Sequence, residues 1–499
     1  MATTTAAVFR RTADRELGTT ESNWCAAVDS GTGITLSSIL FGHRLSLSRV
    51  EGAVRELLAT NPRLRSNITR RNRTLWFETR DEEVSVNISV IDWNEAPGAG
   101  IGEEDGEEDE ETEEATTAVV EVWHRILEAE MNIPFPSVFP FPVFETKLYH
   151  LTAGTSFLVF RLHAAAADMS CTSTVARSFV DSLHRLDQLE KAGQKSIIKA
   201  AYQGSREEGE EEQEEQEEEL QQLPSMEAAI PPGQAKKPFW AHGVDVVGYG
   251  LSSRRHAYLP FRNSKAPRMS RFIPATLTIE ATDQLLKDCQ HRNLSLFGAI
   301  HAAALKAVAS LNKVGDKGEH YGTTVLLQCR HRLQPVLPGS ALGFYHSAML
   351  RTTHTSETDP FWDLAEKCSI DFDGAVKNRK HFTDMGDLNG LMMQAIRIPH
   401  LTPKSSLRTS VLSMSFDPVY EDLGEAAAGL DIKDNLACSS VHGVGPCLAI
   451  FPFLRNGCLR ISFVYPSPLF SRSQIQKLVD CILFYLSAGH INPQVEKES

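Results

Sequence analysis

The sequence predicts an α/β protein of two lobes, and three observations carry that prediction. A chain of 499 residues, 42% of them hydrophobic, holds more apolar material than one small core needs. Strand-like apolar runs alternate with amphipathic helical stretches in two successive series. Between the series lie an acidic run and a turn-forming patch, Ile230-Pro231-Pro232-Gly233, which read as a linker. The expected boundaries are an N-terminal lobe over 1–205, an acidic linker over 206–235 and a C-terminal lobe over 236–499.

In the first series, Leu45, Leu47, Val50, Val54, Leu57 and Leu58 approximate one helix face, stopped by Asn61-Pro62. Short strands are expected over Leu64–Ile68, Leu75–Thr79 and Val84–Ile91, and a helix over Ala118–Met131. Strands over Val143–His150 and Ser156–Leu162 lead into a small-residue turn, and a helix spans Ser173–Leu186. The second series has a strand over Arg271–Ile279, helices over Ala281–His291 and Ser295–Leu311, and a strand over Thr323–Gln328. A long helix near Asp359–Lys380 follows. Strands over Arg408–Ser415, Pro446–Pro452 and Cys458–Tyr465 precede a last helix over Ser471–Leu486. Phe239 and Trp240 are expected in the core, since aromatic side chains dominate buried area.

The formal net charge of −14 is unevenly placed. Residues 103–114 carry ten acids and residues 207–219 carry ten more, with no Lys or Arg in either run. With those twenty set aside, 50 basic residues face 44 acidic ones. The folded body is mildly basic, and the acidic runs read as solvated, disordered segments that repel themselves. Nine scattered cysteines without a CxxC pair argue against a disulfide scaffold and a zinc site. No apolar run reaches the ~20 residues of a membrane-spanning helix. Aromatic and basic residues are not interleaved as a nucleic-acid surface would require. A cytoplasmic monomer is the expectation.

The most informative stretch is Phe160-Arg161-Leu162-His163-Ala164-Ala165-Ala166-Ala167-Asp168-Met169. It resembles the His-His-x-x-x-Asp-Gly motif of the CoA-dependent acyltransferase superfamily. That superfamily includes chloramphenicol acetyltransferase, the HXXXD acyltransferases, alcohol acetyltransferases and peptide-synthetase condensation domains. Aligned on Asp168, the first His is His163, while Ala164 stands where the second, the general base, belongs, and Met169 replaces Gly. Arg15-Glu16-Leu17-Gly18 with Glu21 is similar to the superfamily's opening segment. Leu326–Pro338 with Leu342-Gly343-Phe344-Tyr345, and Gly457–Tyr465 with Phe470-Ser471, are similar to later ones. A closer resemblance, through Gly31-Thr32-Gly33, Lys237–Asp245 and Ser439–Pro446, is to a plant subgroup that also lacks the second His.

The resemblance implies a chloramphenicol acetyltransferase-like sandwich with a tunnel between its lobes. It implies transfer of an acyl group from acyl-CoA, as co-substrate, to a hydroxyl or amine of a small specialised metabolite, with no permanently bound cofactor and no metal. The competing reading is a catalytically silent member of the fold that binds a small molecule or a partner. Two histidines are candidates for the missing base: His163, one residue early, and His442, in Val441-His442-Gly443-Val444-Gly445-Pro446. An imidazole has the right pKa for the task, and a methyl group has none. Against this, one residue along an extended segment turns a side chain to the opposite face, making His163 a structural residue. His442 equally reads as a turn residue. Gly443 and Gly445 are expected to offer backbone N–H groups to a substrate, and His346 to line the site. Asp168 is expected to be structural, paired with an Arg. Cys171 reads as a buried thiol or as an acyl acceptor at a helix start. Lys377-Asn378-Arg379-Lys380 reads as a solvated helix end or as a contact for CoA phosphates.

Deleting Glu207–Glu219 is expected to leave the melting temperature and oligomeric state nearly unchanged, because such a run buries no apolar surface. Scanning calorimetry and light scattering on the deletion variant check this.

Overall fold

The computed structural model describes residues 14–79, 86–93, 108–151, 154–193, 223–417, 419–420 and 423–488. Its first sheet is built around strand β8 (Ser156–His163), which is buried along its whole length because its two faces meet different cores. Leu158, Phe160 and Leu162 enter a cluster under helices α2 (Leu47–Thr60) and α4 (Cys171–Lys191). Phe157 and Val159 enter a second cluster with Trp123, Phe272 and Phe451. A strand buried on both faces reads as a continuous apolar run.

The sheet runs β14 (Ile432–Val441), β2 (Thr32–Phe41), β8, β7 (Phe144–Leu151), β5 (Ile88–Trp93). A small sheet, β1 (Arg15–Glu16), β4 (Thr74–Thr79), β3 (Ser66–Arg71) and β6 (Phe141–Pro142), stands beside it. Helix α1 (Thr19–Asp29) starts at Gly18, whose N–H donates to Glu21 Oε2 at 2.7 Å while Arg15 holds the same carboxylate at 2.6 Å. That is a carboxylate capping the helix's unpaired donors, and it accounts for the Arg-x-Leu-Gly…Glu spacing.

The second sheet runs β11 (His346–Thr355), β10 (Glu319–Gln328), β12 (Arg408–Ser415), β15 (Gly445–Arg455), β16 (Cys458–Ser467), β9 (Met269–Thr276), with β13 (Val419–Tyr420) beside β15. Leu448 and Ile450 join the core formed with helices α6 (Ile279–His291), α7 (Leu296–Asn312), α8 (Phe361–Lys377) and α10 (Arg472–Ala488). Alternating with them, Ala449, Phe451 and Phe453 enter the cluster shared with the first lobe. Helix α3 (Glu108–Glu130) adds Val122, Trp123, Ile126 and Leu127 to that shared layer. Each such side chain contributes about 1.5–3 kcal/mol relative to exposure, so the layer is a strong inter-lobe bond.

Several features depart from the sequence expectations. Strand β14 belongs to the first sheet although it lies within 236–499, pairing antiparallel with β2 from Ile432↔Phe41 to Val441↔Thr32. Neither β2 nor β14 was expected. β2 reads Thr-Gly-Ile-Thr-Leu-Ser-Ser-Ile-Leu-Phe, and its buried polar groups are bonded internally: Ser38 Oγ donates to the Leu158 carbonyl at 2.6 Å and accepts from Trp123 Nε1 at 2.8 Å. From Glu108 onward the first acidic run is helical, where a loop was expected over 103–114. Residues 103–107 and 207–219 lie outside the described residues. Trp240 is 72% exposed on helix α5 (Phe239–Arg255) and is not core.

Besides the apolar layer, the lobes are joined by a buried ion pair. Asp168 Oδ2 lies 2.9 Å from Arg330 Nη1, and both side chains are fully enclosed. Removing one partner of such a pair strands the other charge and costs about 3–5 kcal/mol. Asp168→Asn and Arg330→Met are each expected to lose stability on that scale, and the double variant less than the sum. Urea unfolding of the three variants checks the coupling.

Candidate functional site

Strand β8 ends at His163, and four alanines then make a turn tight enough for close packing. His163 N–H donates to the Val143 carbonyl at 2.9 Å, and its own carbonyl accepts from Ala166 and Ala167. Every residue from His163 to Met169 is buried.

The turn places Asp168 under the second lobe. Its Oδ2 accepts the Tyr345 N–H at 2.8 Å, and its Oδ1 accepts the Ser170 N–H at 3.0 Å. Its own N–H donates to the Gly343 carbonyl at 3.2 Å. Arg330 reaches the same carbonyl through Nη2 at 3.1 Å and the Ala341 carbonyl through Nε at 2.9 Å. The segment Leu342-Gly343-Phe344-Tyr345 is therefore the surface by which the second lobe grips the turn. Burial alone would raise the Asp168 carboxyl, but Arg330, His346 and the Tyr345 N–H hold it below its ordinary range. The carboxylate is fully occupied in this network, a structural role.

His346 belongs to the same network. Its Nε2 lies 2.9 Å from Ser170 Oγ and 3.8 Å from Asp168 Oδ1, and burial lowers its pKa. It braces the turn from the second lobe, where the sequence had placed it in the lining of a substrate site. Cys171 is buried beside Arg330, and burial first, then Asp168, pushes its thiol up to about 12. A thiol so raised is a poor acyl acceptor near neutral pH.

His163 is completely enclosed. Its ring packs edge-on to Phe135 at 5.2 Å and tilted against Phe141 at 5.7 Å. Its Nδ1 accepts the Ala165 N–H at 3.1 Å, which leaves the ring proton on Nε2, in apolar surroundings. Burial pushes its pKa down to about 3, so the imidazole is neutral. A base must reach the proton it removes, and His163 is walled in by Phe135 and Phe141. That geometry makes His163 a packing residue of the turn and weighs against the catalytic reading.

Ala164 turns the other way. Its N–H donates to the Gly33 carbonyl at 3.1 Å, and its methyl group lies over Gly33, which it shares with the ring of Trp24. Gly33 has φ +98°, and a Cβ there would fall 2.8 Å from the Ala164 Cβ and 3.0 Å from the Trp24 ring. Glycine is required for backbone and packing together. The indole of Trp24 in turn packs on Phe344 at 4.9 Å. Where the motif calls for an imidazole, the chain has a methyl group and a tryptophan wall.

His442 is half-buried on the loop from β14 to β15. Its Nδ1 lies 3.1 Å from Ser270 Oγ, and its ring rests on Gly31, where a Cβ would fall 2.1 Å from Nε2. Burial first, then the positive charge of Arg408, pushes its pKa down to about 4. Arg408 is fully buried and organises the loop, donating to the carbonyls of Val441 at 3.0 Å and of Gly443 and Pro446. The glycines do not present free donors. Gly443 N–H donates to the Gly31 carbonyl at 3.3 Å and Gly445 N–H to the Leu407 carbonyl at 3.0 Å, which corrects their assignment to substrate. What Gly443 provides is clearance, since a Cβ would fall 2.2 Å from the Ser30 carbonyl oxygen. Arg330 and Arg408 lay within expected strands or turns, but nothing in their spacing distinguished a buried guanidinium from an exposed one. Trp24 lay between two quoted motifs, past Glu21 and before Gly31, without a role.

By sequence alone, no protein-family model matches the chain, and neither does any curated protein. Solved structures do match it over nearly its whole length. Trichothecene 15-O-acetyltransferase TRI3 from Fusarium sporotrichioides superposes with a TM-score of 0.67 at 11% identity, over 98% of this chain and 100% of that one. The first condensation domain of the CDA synthetase gives 0.58 at 14% identity, over 97% and 98%. The EpoB cyclization-docking bidomain from Sorangium cellulosum gives 0.61 at 15% identity, over 97% and 86%. At such identities the likeness is one of fold: this chain has the two-lobe architecture shared by acetyltransferase and condensation domains.

Proposed function

We propose that this chain keeps the acyltransferase fold as a binding scaffold and does not catalyse transfer through a base on the motif turn. The observation that supports this reading is Ala164 in the base position, with His163 enclosed between Phe135 and Phe141. General-base catalysis contributes roughly 10²–10⁴-fold, and a site without it loses that share of rate. Acyl-CoA and a small acceptor remain the ligands suggested by the fold.

One observation favours a second reading, acyl transfer with His442 as the base. Its half-buried imidazole sits on Gly31, and Gly31 and Gly33 are the same strand end to which the His442 loop and Ala164 are hydrogen-bonded. A neutral imidazole is the form a base requires, and its low pKa makes it a weak one.

Incubation of the full chain with acetyl-CoA and a panel of alcohols and amines separates the two. The binding reading expects thermal stabilisation by an acyl-CoA with no CoA release above the protein-free rate. Release that falls about 100-fold in His442→Ala, and not in His163→Ala, would establish transfer at His442 and overturn the binding reading. Separately, Ala164→His is expected to destabilise by about 1–3 kcal/mol, because the imidazole meets Trp24 and Gly33 in a filled space. Chemical denaturation measures this.

A further inference from the structure

A pocket of about 250 Å³ lies between the lobes, and none of residues 163–169 lines it. Helix α3 and strand β14 form one side, and β9, β15 and β16 form the other. Its contact with β14 is at Asp434, Asn435 and Leu436, six residues from the His442 loop, roughly 20 Å along an extended strand.

Two side chains in this pocket have unused hydrogen-bonding capacity. His124 lines it from α3, edge-on to Phe272 at 5.4 Å, and its ring nitrogens meet no hydrogen-bond partner among the described residues. Arg460 lines it from β16 and is about one-third exposed. Arg460 gives Nη1 to Asp434, while Nε and Nη2 meet no acceptor among the described residues. Those two atoms are the side-on fork of a guanidinium, the geometry that holds a carboxylate by two parallel bonds. Asp434 is itself shared with Arg455 at 3.1 Å, so its charge is not left to repel an incoming anion. The remaining walls mix apolar side chains, Val120, Leu436, Phe453 and Ile461 among them, with the polar residues Thr276, Asn435 and Ser462.

We propose that this inter-lobe pocket is a second ligand site, separate from the motif turn, for a small carboxylate with an apolar, ring-sized body. The Arg460 fork takes the carboxylate, His124 donates or accepts one hydrogen bond, and the body lies against Phe453 and Leu436. Burial, the leading cause, lowers the His124 pKa to about 4, so the ring keeps one donor and one acceptor at neutral pH. Concave sites at the junction of two lobes, where apolar walls meet a few converging polar groups, are a usual place for small-molecule binding.

Phenylacetate and its uncharged analogue phenylacetamide are the probes, titrated into the full chain by calorimetry. The acid is expected to bind at least tenfold more tightly than the amide, as a charge-assisted bond to a guanidinium predicts. Arg460→Gln is expected to abolish that preference. His124→Phe, which keeps the ring against Phe272 and removes both nitrogens, is expected to weaken the acid several-fold. No binding of the acid at about 10 mM, equal binding of acid and amide, or wild-type binding by both variants overturns the proposal. The measurement is of binding alone, so its failure leaves the reading of the motif turn where it stands.

Discussion

The enclosed pair of Asp168 and Arg330 is the constraint around which the rest is arranged. A carboxylate removed from water needs its charge met and its lone pairs filled, and here both needs are met from across the lobe boundary. To present that carboxylate, the chain after β8 must turn within a few residues, and four small side chains make the turn possible. To receive it, the second lobe lays Gly343 and Tyr345 backbone against the turn. His163, His346, Ser170 and Cys171 then take positions fixed by this joint. Residues that look catalytic in one dimension are parts of the joint in three.

This separates two properties that a motif combines. Asp168 holds architecture, engaged by Arg330 and by the N–H groups of Tyr345 and Ser170. The histidine of the motif performs chemistry, and its place is filled by Ala164 and Trp24 over Gly33. Ala164 fits that place without cost to the fold, because an alanine methyl group beside an indole is an ordinary apolar contact. An aspartate lost beside Arg330 has no comparable substitute.

What the sequence made legible follows from what each residue has to satisfy locally. Helices with one apolar face, such as Leu47–Thr60 and Cys171–Lys191, were visible through their period, and their limits fell within a few residues of expectation. Strands Thr32–Phe41 and Ile432–Val441 were not: the first is buried on both faces, which removes alternation, the second is an only partly buried edge strand, and the polar residues of both imitate a loop. The acids at 108–114 suggested disorder by composition, while helix α3 draws its stability from Trp123 and Leu127 further along. In the site, the absence of a base at Ala164 was readable directly. The fate of His163 and of the Gly443 and Gly445 donors depended on neighbours more than a hundred residues away or on the far side of a loop, which no local pattern encodes.

The placement of β14 also orders events during synthesis. Strand β2 is made near residue 40, yet its partner on one side is made some four hundred residues later. Until then β2 is the rim of an unfinished sheet, with a row of unpaired backbone donors and acceptors. Such a rim is a template for other chains as well as for its own. A nascent first lobe on the ribosome therefore carries an open seam throughout translation of the second. The cell must keep that seam covered until the C-terminal half arrives to close it.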